Sequence, residues 1–177
     1  MFYGSVPAEA QAIMNKIVKA WDVSNIYVGC SGNFTLEKFI GPLGRFRLHS
    51  NDVTMYSLCL GAHFMREHVP LELSEEGEAM FPWLPEYMKT DVDRLATMLL
   101  CSRIVAFTDK GDNPYYKMML EESVRQFPAM HEKTVAKVSA NTLTISSYFN
   151  GDAAEFVKQA PSDAGFISFP PFKKAGK

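Results

Sequence analysis

Asn25-Ile26-Tyr27-Val28-Gly29-Cys30-Ser31-Gly32-Asn33-Phe34-Thr35 reads as a strand, a small-residue turn and the opening of a helix. Ile26, Tyr27 and Val28 favour extended backbone, and Gly29 breaks the run. Phe34, Leu36, Phe39 and Ile40 then recur at helical spacing. Such a strand–turn–helix unit is how α/β folds bring main chain close to a nucleotide or cofactor. Glycine removes the Cβ atoms that block approach, and the first turn of a helix offers unpaired N–H groups. Gly-x-x-Gly by itself also describes a ligand-free βα turn, so the neighbouring residues carry the decision.

Arg45 to Ser50 alternates as a second strand, ends at Asn51-Asp52, and feeds an apolar helical pattern of Val53, Tyr56, Leu60 and Phe64. An acidic residue at the end of a second strand, roughly 20 residues past a glycine turn, is where dinucleotide-type folds hold ribose hydroxyls. A carboxylate has two acceptor oxygens for the two donors of a vicinal diol. Asn51 or Asp52 would also serve as a helix cap, and the two roles are compatible.

Upstream, Pro7 and Glu9 open a helix whose apolar residues are Ile13, Ile17, Val18 and Trp21. Downstream of residue 70 the strand pattern stops. Asp91 is placed to cap a helix through Leu95, Met98, Leu99 and Ile104 to about Phe107. After the polar Thr108–Pro114 loop come two helical stretches, Tyr115 to Gln126 and about Ala129 to Ser139. The expectation is a helical insertion over about residues 70–142. Leu143–Phe149 reads as a third strand ending at Asn150-Gly151-Asp152, and a short helix follows through Phe156 and Val157. Gly165-Phe166-Ile167-Ser168 is the last strand and runs into Phe169-Pro170-Pro171-Phe172. If the sheet is parallel, Asp152 shares an edge with Asn51-Asp52. The fold class is therefore α/β, a partial Rossmann-like sheet of about four strands, with residues 1–177 forming one domain.

Composition narrows the function. The chain of 177 residues is 47% hydrophobic and 21% charged, as in globular proteins. No apolar run reaches the roughly 18–20 residues that span a bilayer, and a cytoplasmic location is expected. The net charge of −2 argues against a mainly electrostatic nucleic-acid binder but leaves room for a local basic face. Cys30, Cys59 and Cys101 are odd in number and widely spaced, which favours free thiols. Cys30 lies where a helix N-terminus would activate a thiol, although a small packed cysteine serves the same position. Gly29-Cys30-Ser31-Gly32 is not a Gly-x-Ser-x-Gly nucleophile elbow, because nothing separates Ser31 from Gly32. His63 and His68 are five apart, off the spacing for a shared helix face, and no metal site is expected.

In motif order and spacing the chain resembles S-adenosylmethionine-dependent DNA adenine methyltransferases. Tyr27-Val28-Gly29-Cys30-Ser31-Gly32 stands where that family has Phe-x-Gly-x-Gly, with one extra residue. Asp52 matches its ribose-binding carboxylate, Asp152 the acidic residue near the cofactor adenine, and Phe2-Tyr3-Gly4-Ser5 the aromatic-Gly segment before the cofactor strand. Phe169-Pro170-Pro171-Phe172 falls about 140 residues beyond the glycine turn, where the family carries its Asp-Pro-Pro-Tyr-type motif. Gly29–Thr35 and Asn51-Asp52-Val53 are most similar to a group of phage antirestriction adenine methyltransferases.

The resemblance implies S-adenosylmethionine as cofactor, with Tyr27, Gly29, Ser31, Gly32, Asp52 and Asp152 around it. It implies an adenine in DNA as target, with Ser168, Pro170, Pro171 and Phe172 at the base, direct methyl transfer, and host cytoplasm for a phage-encoded protein. Two departures matter. The family's base-holding Asp, Asn or Ser is Phe169 here, with no acceptor, and Ser168 lies one place early. The full family sheet also has more strands than these, so a second polypeptide or a homo-oligomer would complete it, or the chain is a fragment or a reduced relative. These departures keep open a catalytically inactive module that binds DNA or a partner as a structural or assembly protein. A plain nucleotide-binding α/β domain using the same turn and Asp52 is a third reading.

Overall fold

The computed structural model describes residues 8–108 and 113–168. Phe2–Ser5, Phe169, Pro170, Pro171 and Phe172 lie outside the described residues. The chain divides into two compact units, one of Met1–Glu67 with Leu143–Lys177, the other of His68–Thr142.

In the first unit the elements alternate. Helix α1 (Ala8–Ala20) precedes strand β1 (Asn25–Gly29), helix α2 (Thr35–Ile40), strand β2 (Arg47–Asp52) and helix α3 (Met55–Met65). After the second unit come β3 (Ser147–Asn150), α7 (Ala153–Gln159) and β4 (Gly165–Ser168). All pairings are parallel and the strand order is β3-β2-β1-β4. This is the α/β, partly Rossmann-like sheet expected from the alternation of patterns. Going from β1 to β2 to β3 the chain steps one way, and β4 returns to the far side of β1. The order thus reverses between β1 and β4, and ligands of open α/β sheets bind in the crevice beyond the strand ends at such a point.

Strand alternation assigns the two faces. Ile26, Val28 and Leu48 are buried on the face that also carries Ser50 and Tyr148. Each such apolar side chain contributes roughly 1.5–3 kcal/mol when fully buried. Phe34 packs edge-on against Phe64 of α3 and tilts against Tyr148, so α2 and α3 cover this face. On the other face Phe156 of α7 contacts Tyr27, Phe149 and Phe166, one ring from each of three strands.

At the N-terminal ends of the strands, a polar row laces the sheet together. His49 Nδ1 lies 2.8 Å from Ser147 Oγ, and Nε2 lies 3.1 Å from Asn25 Oδ1. Burial, then the charge of Arg47, holds the imidazole below its ordinary pKa. Its neutral form can accept from the serine and donate to the amide oxygen. The Arg45 guanidinium closes α1 by donating to the carbonyls of Val18, Lys19 and Trp21.

Several boundaries differ from the sequence pattern for identifiable reasons. β2 continues through Asn51 and Asp52 because both pair with β3, opposite Phe149 and Asn150. The cap of α3 is Thr54, whose hydroxyl accepts from the Ser57 N–H, and neither Asn51 nor Asp52 takes that place. β3 begins only at Ser147. Leu143 and Ile145 are buried on the approach to it, where the Ile145 and Ser146 N–H groups donate to Phe64 and Leu48 carbonyls.

The second unit is helical, with α4 (Glu75–Met80), α5 (Asp91–Thr108) and α6 (Pro114–Ser139). Leu84, Leu100, Ile104 and Phe127 form its core, edged by Trp83 and Tyr87. Asp91 is the first residue of α5, not its cap. Thr90 fills that role, its hydroxyl accepting from the Asp93 N–H while Asp93 Oδ2 accepts from the Thr90 N–H. The two stretches read as separate helices form one, with Pro128 inside it. Proline at that position removes one main-chain bond, and the fully buried Phe127 beside it anchors the helix in the core.

Gly61 on α3 faces the Tyr148 ring, and a Cβ there would stand 2.5 Å from it. Gly61→Ala should therefore lose about 1–2 kcal/mol by denaturant unfolding, overpacking outweighing the gain in helix propensity. An unchanged or raised midpoint would show that the ring yields freely.

Candidate functional site

The turn after β1 is built from alternating handedness. Cys30, Gly32 and Phe34 have φ of 58°, 50° and 57°. Glycine adopts that region readily, whereas an L side chain there costs roughly 1–2 kcal/mol. Phe34 is held in place by its surroundings: it is fully buried, and its N–H donates to the Ser31 carbonyl at 2.7 Å. The N–H groups of the turn go to separate acceptors: Ser31 to the Asn51 carbonyl, Gly32 to the Asp52 carboxylate and Phe34 to the Ser31 carbonyl.

Asp52 joins the turn to the entry of α3. Its Oδ2 accepts from the Gly32 N–H at 3.0 Å, and its Oδ1 from the Thr54 N–H at 3.0 Å. The side chain is 6% exposed. The two bonds use half of a carboxylate's roughly four acceptor positions.

Ser31 ties the same two strand ends together. Its N–H donates to the Asn51 carbonyl at 2.8 Å, and its Oγ accepts from the Asn51 N–H at 3.3 Å. Ser57 Oγ, one turn into α3, donates to the Gly32 carbonyl at 2.9 Å. On the other flank, the Asn51 amide donates to the carbonyls of Phe149 and Gly151 at 2.9 and 2.7 Å, which holds the end of β3. The Tyr148 hydroxyl donates to the Asp52 carbonyl at 3.1 Å.

Gly29, Ser31, Gly32 and Asp52 thus come together at the C-terminal ends of β1 and β2. Asp152 follows the end of β3, exposed, and caps α7 by accepting from the Ala154 N–H at 2.7 Å. Ser168 is the last residue of β4 and pairs with Gly29, the two meeting at the point where strand order reverses. A Cβ on Gly29 would stand 3.1 Å from Ser168 Oγ and 3.2 Å from the Phe166 ring, so only glycine fits between them without displacement. Tyr27 points elsewhere: its ring stacks on His49 at 4.5 Å and touches Phe156, within the sheet face covered by α7. Among the described residues no group of three or more His, Cys, Asp or Glu could hold a metal ion, and no helix is long and apolar enough to cross a membrane.

Glu37, Tyr148 and Ser57 were not singled out in the sequence. Glu37 had a signal: it lies three residues from Ile40, on the apolar side of a short helix. Its carboxyl is fully buried. Oε1 accepts from Ser50 Oγ at 2.9 Å, and Oε2 has no hydrogen-bond partner. Burial is the main cause that pushes its pKa up to about 7, against the weaker opposing effects of the Ser31 and Ser50 hydroxyls. The neighbouring Tyr148 hydroxyl is also raised, first by burial and then by Asp52 and Glu37.

A carboxyl whose value is higher folded than unfolded favours the native state at low pH and loses that advantage as pH rises. Here the loss runs from about pH 4.5, the ordinary value, to about 7. Its full extent is about 3 kcal/mol at one pKa unit per 1.36 kcal/mol. Urea unfolding should show stability falling across that window, and Glu37→Gln should flatten the curve. A parallel curve in the variant would exonerate Glu37.

The family described as Phage DNA Adenine Methylase-like domain 1 matches residues 2–176. No curated protein and no solved structure matches the chain significantly. With nearly the whole chain matched, and a parallel sheet bearing a glycine turn and a carboxylate at adjacent strand ends, the chain belongs to the phage DNA adenine methylase-like family.

Proposed function

We propose that this methyltransferase-like chain binds S-adenosylmethionine and takes part in modifying adenine in DNA, in an antirestriction role. The observation that carries the reading is the bond between Asp52 and the Gly32 N–H, at the carboxyl ends of two neighbouring strands beside the switch point of the sheet. The donor set suits the cofactor. Gly29 and Gly32 give close main-chain approach for the methionine part, with Ser31 between them. Asp52 keeps two acceptor positions for a ribose diol, and Asp152 is exposed to take an adenine amine. When bound, the cofactor supplies an electrophilic methyl group on a positively charged sulfur.

The chain's own task is to present the base. Ser168, at the end of β4 beside Gly29, begins the segment that would hold it, with Pro170 and Pro171 fixing the backbone and Phe172 stacking on the flipped ring. These residues would hold the exocyclic nitrogen toward the methyl donor, and positioning of this kind would be their main catalytic contribution. The base-site residues beyond Ser168 are assigned through the family resemblance.

One observation favours a second reading. Phe169 offers no acceptor for the adenine amine, which suits an inactive module acting as a DNA- or partner-binding assembly protein. In either reading another chain, a second copy included, would extend the sheet at β4, which pairs with β1 alone among the described residues.

Calorimetric titration with S-adenosylmethionine should give micromolar binding to the wild type and at least tenfold weaker binding to Asp52→Ala, about 1.4 kcal/mol or more. No binding by the folded wild type would overturn the cofactor reading. Transfer of labelled methyl groups to DNA then separates the active enzyme from the inactive module.

A further inference from the structure

We infer that Glu37 is a positioning residue for the methyl-donor site: its neutral carboxyl, docked on Ser50, seats α2 and the glycine turn against β2, and its ionisation weakens cofactor binding. The inference rests on the cofactor reading above.

The geometry places Glu37 under both halves of the site. It is the third residue of α2, whose N-cap is the left-handed Phe34 at the end of the glycine turn. Its partner Ser50 is followed directly by Asn51 and Asp52, which bond to Ser31 and Gly32. The link from Glu37 to Ser50 therefore joins the helix that leaves the turn to the strand that carries the carboxylate. Among the described residues, Lys38 is the one positive charge that acts on Glu37. Asp52 and Tyr148 stand on β2 and β3, and Cys59 is on α3 near the same tyrosine. The effect of Lys38 is the weakest of those that act on the carboxyl. Its ammonium is turned to the surface, donating to the Asn33 carbonyl and lying 5.6 Å over the Phe64 ring.

An anion buried without a counter-charge drives the surrounding structure to open or admit water. At Glu37 that opening separates α2 from β2 and carries the turn away from Asp52. Because burial brings the carboxyl's pKa to about 7, the change falls near neutral pH.

The test is calorimetric titration with S-adenosylmethionine from about pH 6 to about pH 8.5, on the wild type, Glu37→Gln and Ser50→Ala. If only the neutral form binds, the wild-type Kd rises roughly thirtyfold over that range. Glu37→Gln keeps its Kd within about twofold, since an amide cannot ionise. Ionisation of the ligand is common to all three proteins and cancels in the comparison. Ser50→Ala, which removes the hydroxyl that docks the carboxyl on β2, weakens binding at both ends of the range. Equal pH slopes in wild type and Glu37→Gln overturn the inference while leaving the cofactor reading intact. Absence of binding at every pH overturns the cofactor reading and this inference with it. Hydrogen exchange of the free protein gives a readout independent of ligand: protection of the α2 amides falls at the higher pH in the wild type relative to Glu37→Gln. Equal protection in the two proteins also counts against the inference.

Discussion

The Asp52 carboxylate is the tie on which the C-terminal edge of the sheet depends. One oxygen holds the main chain of the glycine turn and the other holds the entry to α3. The turn needs such a partner, since two of its three left-handed residues are not glycine. Around this tie the bonding is redundant: Ser31 to Asn51, Ser57 to Gly32, and Asn51 across to β3. A carboxylate fixed by two N–H groups needs little rearrangement to accept a ligand, which is the preorganisation that binding sites require.

Much of this was legible in the sequence. The period-two runs, the glycine turn and the acidic residue ending the second strand led to a parallel α/β sheet, because each pattern has a local cause. What escaped depends on contacts between segments far apart in the chain. Asn51 and Asp52 belong to β2 only because β3, about 100 residues later, pairs with them. Pro128 marks a helix break locally, yet α6 runs through it, with Phe127 buried in the core of that unit. Glu37 had a helical-face signal, but its environment comes from Ser50 and Tyr148 on other strands. Tyr27 shows the reverse: its place in a motif drew attention, while its ring contributes to the sheet face.

Two buried acidic side chains of the first unit have different partners. Both oxygens of Asp52 accept main-chain N–H groups, whereas Glu37 on α2 accepts from the Ser50 hydroxyl through Oε1. Burial favours the neutral form of the Glu37 carboxyl.

The unit formed by residues 68–142 enters between α3 and β3, which are neighbours in the first unit. Its presence lengthens the connection from Asp52 to Ser147 from about 20 residues to about 95. Loop-closure entropy grows only with the logarithm of length, so the added cost to pairing β2 with β3 is about 1.4 kcal/mol for a flexible loop. The parallel sheet can thus host a whole helical unit at this crossover for about the free energy of a single surface hydrogen bond.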